Sequence, residues 1–266
     1  MNAVTRPHRD PIFVLGTQKS GTSVIAALLG HATGLPTTID LKPISRDSPF
    51  PQKVAEGSLD FDELVRRHRW DFSRPIVKEP SLTFVVPFLR TRWPSARMVF
   101  VRRDPVQVVR SVLDRLRIPG CLRELSDARR AAIPPPWRQA FDCRWCERGV
   151  PGGCWTRPRM HYVEEAARRC RIAESIAENE LSARPHSTFV VDYDEFRLRR
   201  MDIIEELARS LGLDPRPRDR WRSQVDRRYQ PAGRNAAASP EEVFGDNLPR
   251  LRRAFEETRE SYKAAA

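Results

Sequence analysis

The residues best suited to chemistry lie between a short apolar run, Pro11-Ile-Phe-Val-Leu15, and an apolar helix-like segment, Val24-Ile-Ala-Ala-Leu-Leu-Gly30. They read Gly16-Thr17-Gln18-Lys19-Ser20-Gly21-Thr22-Ser23. A glycine-bounded turn from a buried strand into a helix N-terminus gathers backbone N–H groups and the positive end of the helix dipole at one point, which makes an anion site. A loop that cleaves nucleoside triphosphates, G-x-x-x-x-G-K-[ST], needs a lysine directly after its second glycine. Thr22 holds that place here, and the lysine comes earlier, at Lys19. The frame suits phosphate, but the lysine is misplaced for ATP or GTP hydrolysis. A second basic centre is Arg103-Asp104-Pro105, with Ser111 eight residues after the arginine. A guanidinium offers a planar, permanently charged fork to a phosphate, and a serine on the following helix adds a hydroxyl donor. A third centre, Lys78-Glu79-Pro80, ends another apolar run.

The first two centres, in this order and each at a strand-to-helix junction, resemble the two signatures of the sulfotransferases that use 3′-phosphoadenosine 5′-phosphosulfate (PAPS). Lys19-Ser20-Gly21-Thr22 is similar to their G-x-x-K/R-S-G-T loop, without the additional residue and proline of the cytosolic form, and Arg103 to Ser111 is similar to their arginine, Asp/Asn-Pro and serine. Val191-Asp-Tyr193-Asp194-Glu195, followed by Leu211-Gly-Leu213, is similar to the tail of bacterial members, so the resemblance runs from about Pro11 to Leu213. It implies PAPS as co-substrate and transfer of a sulfuryl group to a hydroxyl, or an amine, of a small molecule, lipid or glycan. Thr17, Gln18, Lys19, Ser20, Gly21, Thr22 and Ser23 would hold the 5′-phosphate, and Arg103 and Ser111 the 3′-phosphate. Lys19 would neutralise the departing bridging oxygen, and Lys78 would touch the sulfuryl group. The acceptor also needs a general base. Here the chain departs from the family: Pro80 stands where cytosolic members carry a histidine, and Val77 where glycan-modifying members carry a glutamate. Glu79 is the candidate base, with Asp40 as its rival.

These groups need a scaffold. Apolar runs at 11–15, 76–78, 97–102 and 188–192 read as strands, and helical patterns fall at 24–30, 60–70, 82–92, 105–116, 161–181, 203–211 and 248–262. Their alternation predicts an α/β three-layer sandwich with a central, mostly parallel sheet and the phosphate loop after its first strand. The polar stretches 36–57 and 214–241 read as loops. The chain reads as one domain, 1–266, with a cysteine-bearing insertion at about 117–158 lying over the sheet edge, near the acceptor.

Composition narrows the alternatives. Of 47 basic residues against 35 acidic ones, five are lysine (19, 42, 53, 78 and 263), and the 42 arginines are spread along the chain with no run of five or six like charges. No DNA- or RNA-reading motif accompanies them, so nucleic acid is not the expected partner. No segment reaches the ~20 apolar residues of a membrane span, and the first ten residues lack the apolar stretch of a signal peptide, so a cytoplasmic protein is expected. Cys143, Cys146 and Cys154, with Cys170 or His161, leave free thiols, a structural zinc and a disulfide all open. An atypical phosphate-loop kinase would need ATP, magnesium and an acidic strand end to hold the metal, and no such end stands out. A non-catalytic nucleotide-binding protein is the remaining alternative.

Overall fold

Ile12, Phe13, Val14, Leu15 and Gly16 are buried throughout, as an apolar run must be when a strand has neighbours on both edges and helices on both faces. In the computed structural model, which describes residues 5–41, 50–141, 161–228 and 238–263, this run is β1 (Ile12–Gly16). It is the middle of a five-stranded sheet completed by β2 (Thr37–Ile39), β3 (Ile76–Lys78), β4 (Arg97–Arg102) and β5 (Thr188–Asp192), in the order β2-β3-β1-β4-β5. Every pairing is parallel, with Ile12 opposite both Ile76 and Arg97. The expected α/β architecture is present, and its sheet is wholly parallel.

The longer helices are α1 (Thr22–Thr33), α2 (Val86–Arg92), α3 (Pro105–Leu116), α4 (Tyr162–Ala183), α5 (Arg200–Ser210) and α6 (Asn247–Lys263). One sheet face, with Ile12, Val14, Ile76, Val99 and Val101, packs on α1 and α5 through Leu28, Leu29, Ile204 and Leu207. The opposite face, with Phe13, Leu15, Val77, Met98 and Phe100, packs on Leu82, Val85 and Leu89. Trp93 closes that side, its ring 5.3 Å from Phe13 and 5.5 Å from Phe72. A third cluster joins α3, α4 and α6 to Leu125, Ile133 and Phe141 from the first part of the predicted insertion. That part carries two short helices, Asp127–Ala132 and Pro135–Arg138. Cys143, Cys146 and Cys154 lie outside the described residues.

Three regions differ from the sequence reading. The stretch read as loop over 36–57 contains β2 and a helix at Phe50–Ala55. β2 is only Thr-Thr-Ile, so it has no apolar run, and its register comes from β3. The helix expected at 60–70 divides into Phe61–Arg67 and Arg69–Phe72 around His68. The polar stretch 214–241 contains a helix, Arg222–Arg228, behind the fully buried Trp221, and the start of another, Pro240–Phe244.

The order of strands fixes where a ligand can reach the backbone. The connection leaving β1 runs towards β2, and the one leaving β4 runs to β5 on the other side. The crevice outside the carboxyl ends of β1 and β4 is therefore the switch point at which such sheets bind ligands.

Candidate active site

The loop leaving β1 is shaped by conformations few side chains adopt. Gly16 has φ +142°, and a Cβ there would lie 2.8 Å from the carbonyl oxygen of Val101, so the close approach to β4 requires glycine. Thr83, fully buried on a 3₁₀ turn (Pro80–Val85), clamps the same residue twice. Its hydroxyl accepts from Gly16 N–H at 2.8 Å and donates to Gly16 C=O at 3.0 Å. Lys19 follows with φ +70°, a left-handed backbone that is strained for a residue with a side chain. Ser20 commits both its N–H (3.2 Å) and its hydroxyl (2.8 Å) to the carbonyl of Thr17, closing the turn. Gly21, at φ +103°, is the N-cap of α1 and supplies no side-chain cap. The N–H groups at the start of α1 have no carbonyl of their own helix within reach. Ser20 thus shapes the loop, while the N–H groups of Gly21, Thr22 and Ser23 are left without a partner in α1 itself.

The second basic centre meets the first directly. Arg103, just past β4, donates from Nη1 to the carbonyl of Lys19 at 2.8 Å. Asp104 caps α3, accepting from Val106 N–H at 2.9 Å with Pro105 in the first turn. This cap fixes the angle at which α3 leaves the site. Ser111 is half-buried along α3, one turn ahead of Asp114 and Arg115. Those two charges act on Lys19, so this face of α3 looks at the loop. Burial, then the charges of Arg115 and Arg103, hold the Lys19 ammonium below the usual lysine range, with Lys78 adding to the effect. Four cations from four elements therefore converge at the loop. Arg115 escaped sequence reasoning, although its place four residues after Ser111 on an amphipathic helix was the available signal.

On the other side of β1, Lys78 ends β3 with 3% exposure and pairs with the carboxylate of Asp40. Asp40 has φ +61° and donates its backbone N–H to the carbonyl of Lys78 at 2.9 Å. Its side chain is 44% exposed. Glu79 is 4% exposed and has both oxygens engaged: Oε1 accepts from Ser81 N–H at 3.0 Å, and Oε2 from Leu41 N–H at 3.1 Å. It caps the 3₁₀ turn that carries Thr83. Burial pushes its carboxyl above the usual carboxylate range, against the opposing pull of Lys78.

Beneath the loop, α4 supplies further contacts. Gln18 accepts from Arg169 Nε at 3.4 Å, and that guanidinium lies 3.9 Å from the Phe84 ring. Cys170 donates from Sγ to the carbonyl of Ala166 at 3.3 Å, and burial pushes its thiol up to about 12. A cavity of about 200 Å³ opens here beside Gly16 and Thr17, floored by Phe100 and walled by Ala173 and Ala177 of α4. His161, the residue suggested as a zinc ligand with the cysteines, is the N-cap of α4, and its Nε2 pairs with the carbonyl of Arg123. Among the described residues no group of three His, Cys, Asp or Glu side chains is gathered as metal ligands, and no helix is long and apolar enough to cross a membrane.

No protein-family model matches the chain, and no curated protein matches it in sequence. In backbone it is similar to a sulfotransferase from Alicyclobacillus acidocaldarius, at 14% identity over 93% of this chain and 96% of that one, with a TM-score of 0.48. A sulfotransferase from Mycobacterium avium follows at 15% identity, 96% and 77% coverage and a TM-score of 0.49. One from Mycobacterium tuberculosis has 16% identity, 94% and 77% coverage and a TM-score of 0.47.

Proposed function

We propose that the chain is a sulfotransferase that moves the sulfuryl group of PAPS to a hydroxyl, or an amine, of a small-molecule, lipid or glycan acceptor. The observation that carries this reading is the hydrogen bond from Arg103 to the carbonyl of Lys19, which brings two separate signatures to one anion site. The buried Nε of Arg103, without a hydrogen-bond partner among the described residues, suits a further anionic ligand there. In this reading the N–H groups of Gly21, Thr22 and Ser23 hold the 5′-phosphate, with Thr17, Gln18 and Ser20 shaping the loop beneath it. Arg103 and Ser111 hold the 3′-phosphate.

Sulfuryl transfer leaves the protein little covalent chemistry, so positioning and charge stabilisation lower most of the barrier. Lys19 neutralises the bridging oxygen as the bisphosphate departs, and Lys78 steadies the sulfuryl oxygens. The S–O bond to the donor breaks as that to the acceptor oxygen forms, and the acceptor proton passes to a carboxylate. Asp40 takes that role in preference to Glu79, because it has an exposed face and stands beside the Lys78 ammonium, whereas Glu79 has both oxygens under backbone N–H groups. Asp40→Asn should lower turnover roughly 10²-fold, the scale of a lost general base, with bisphosphate affinity unchanged. Glu79→Gln should retain turnover within a few-fold. The opposite pattern would return the base to Glu79.

The test of the whole reading is equilibrium binding of adenosine 3′,5′-bisphosphate against ATP, followed by transfer of radiolabelled sulfate from PAPS into a cell extract. Preference for the bisphosphate and a labelled product are expected. Preference for ATP with magnesium would favour a phosphate-loop kinase, and binding without transfer a nucleotide-binding protein. The domain reading, one unit with the segment 117–158 beside the acceptor, is part of the same proposal. So are a cytoplasmic location and the absence of a nucleic-acid partner.

A further inference from the structure

The aromatic ring of Tyr193 touches both Gly21 of the loop and Arg103. Tyr193 opens a short helix, Tyr193–Leu198, directly after β5, and the capping carboxylate of Asp192 fixes that helix by accepting from Asp194 N–H at 2.9 Å and Glu195 N–H at 3.2 Å. The ring packs 5.6 Å from the fully buried Phe196, so it is held from below. One of its edges lies against Gly21, so closely that a methyl group there would collide with the ring. The Arg103 guanidinium lies over the same ring, 4.8 Å from its centroid.

A guanidinium held at one nitrogen can still swing about that bond. Arg103 has such an anchor in the Lys19 carbonyl. Contact with an aromatic face restricts the swing by attracting the cation and fixing its plane. We infer that Tyr193 is a positioning residue for Arg103, presenting the guanidinium to the 3′-phosphate of the co-substrate. The inference rests on the reading of the site as one for a 3′-phosphorylated nucleotide. The acting part of Tyr193 is its ring and not its hydroxyl, and its effect is confined to the phosphate that Arg103 meets.

The test compares adenosine 3′,5′-bisphosphate with adenosine 5′-monophosphate, which lacks that phosphate, by calorimetry on the full chain. Tyr193→Leu should lose about tenfold in affinity for the bisphosphate, within the range of a partly desolvated cation–π contact, and change affinity for the monophosphate less than twofold. Tyr193→Phe should retain both affinities. Tyr193→Met provides a second ringless variant should the leucine variant fail to fold. In an Arg103→Lys background, removing the ring should lower the ratio of the two affinities much less. Equal losses for both nucleotides, no loss for either, or a Tyr193→Phe variant as weak as Tyr193→Leu would each overturn the inference. Wild-type protein that does not prefer the bisphosphate would overturn the reading of the site, and this inference with it.

Discussion

Lys19 stands among cations, and its protonation is the first quantity the site controls. Burial, Arg115 and Arg103 lower its pKa, so the native state releases this proton more readily than the unfolded chain does. The sign follows: the cost of holding the charged ammonium is present in full below the folded pKa and is relieved as pH rises towards the unfolded value, so this group makes the fold more stable with rising pH. Anion binding has the opposite slope, because the charge is lost over the same window. The alkaline limb of kcat/KM should fall at lower pH than a free lysine would give. Lys19→Arg, whose guanidinium does not titrate there, should abolish that limb. Lys19→Ala should reduce turnover by roughly 10²-fold or more, the scale of one lost oxyanion donor, as measured by single-turnover transfer. The place of Lys19 in the turn was legible because the glycines on either side set the loop's path locally. Glu79 was less so, since its two backbone partners come from separate segments, and the arrival of Leu41 beside it leaves no mark in sequence.

Among the elements, the 3₁₀ turn Pro80–Val85 has more responsibility than its length suggests. Glu79 caps it, and its Thr83 hydroxyl grips both backbone groups of Gly16. Thr83→Val keeps the shape and removes both bonds, leaving a buried N–H and a buried carbonyl unpaired. Chemical denaturation should report a loss of about 2 to 4 kcal/mol for the two groups together, and bisphosphate affinity should fall with it. The strands and helices with strong apolar patterns were readable from sequence, β1, β4 and α3 above all, because burial on two faces or along one stripe writes a period into the chain. β2 was not, since Thr37-Thr38-Ile39 is a strand only because β3 lies beside it. The helix after β5 was also missed. Its cap residue, Asp192, stood in plain view, yet Tyr193 gains its meaning from Gly21 and Arg103, which no local window contains.

Across the whole molecule, several arginines pair with neighbouring carboxylates, although 47 basic residues against 35 acidic ones leave a net charge of +12. Arg218 pairs with Asp202 and Glu205, Arg199 with Glu195 and Glu206, Arg171 with Glu174 and Glu178, and Arg90 with Glu180. The exposed pairs, those of Arg218 and Arg199, contribute little stability, whereas Arg171 and Arg90 are buried, and all of them cancel field that would otherwise attract polyanions. Random duplex DNA in excess should therefore leave bisphosphate binding unchanged at about 0.15 M salt, where exposed charges are screened beyond roughly 8 Å. Competition by DNA would show that the arginines act collectively.

The clamp on Gly16 and the bond from Arg103 to Lys19 close loops of 67 and 84 residues, and Tyr193 arrives from still farther along the chain. Such distant partners join late, because the entropy of closing long loops must be met before their contacts form. A growing or half-folded chain accordingly lacks the contacts that Thr83, Arg103 and Tyr193 bring to the loop, and in the proposed reading nucleotide binds best to the finished protein. Saturating bisphosphate at a hundred times its Kd should add about 2.7 kcal/mol to the unfolding free energy, making the ligand a reporter of completed folding as well as the product of the proposed transfer.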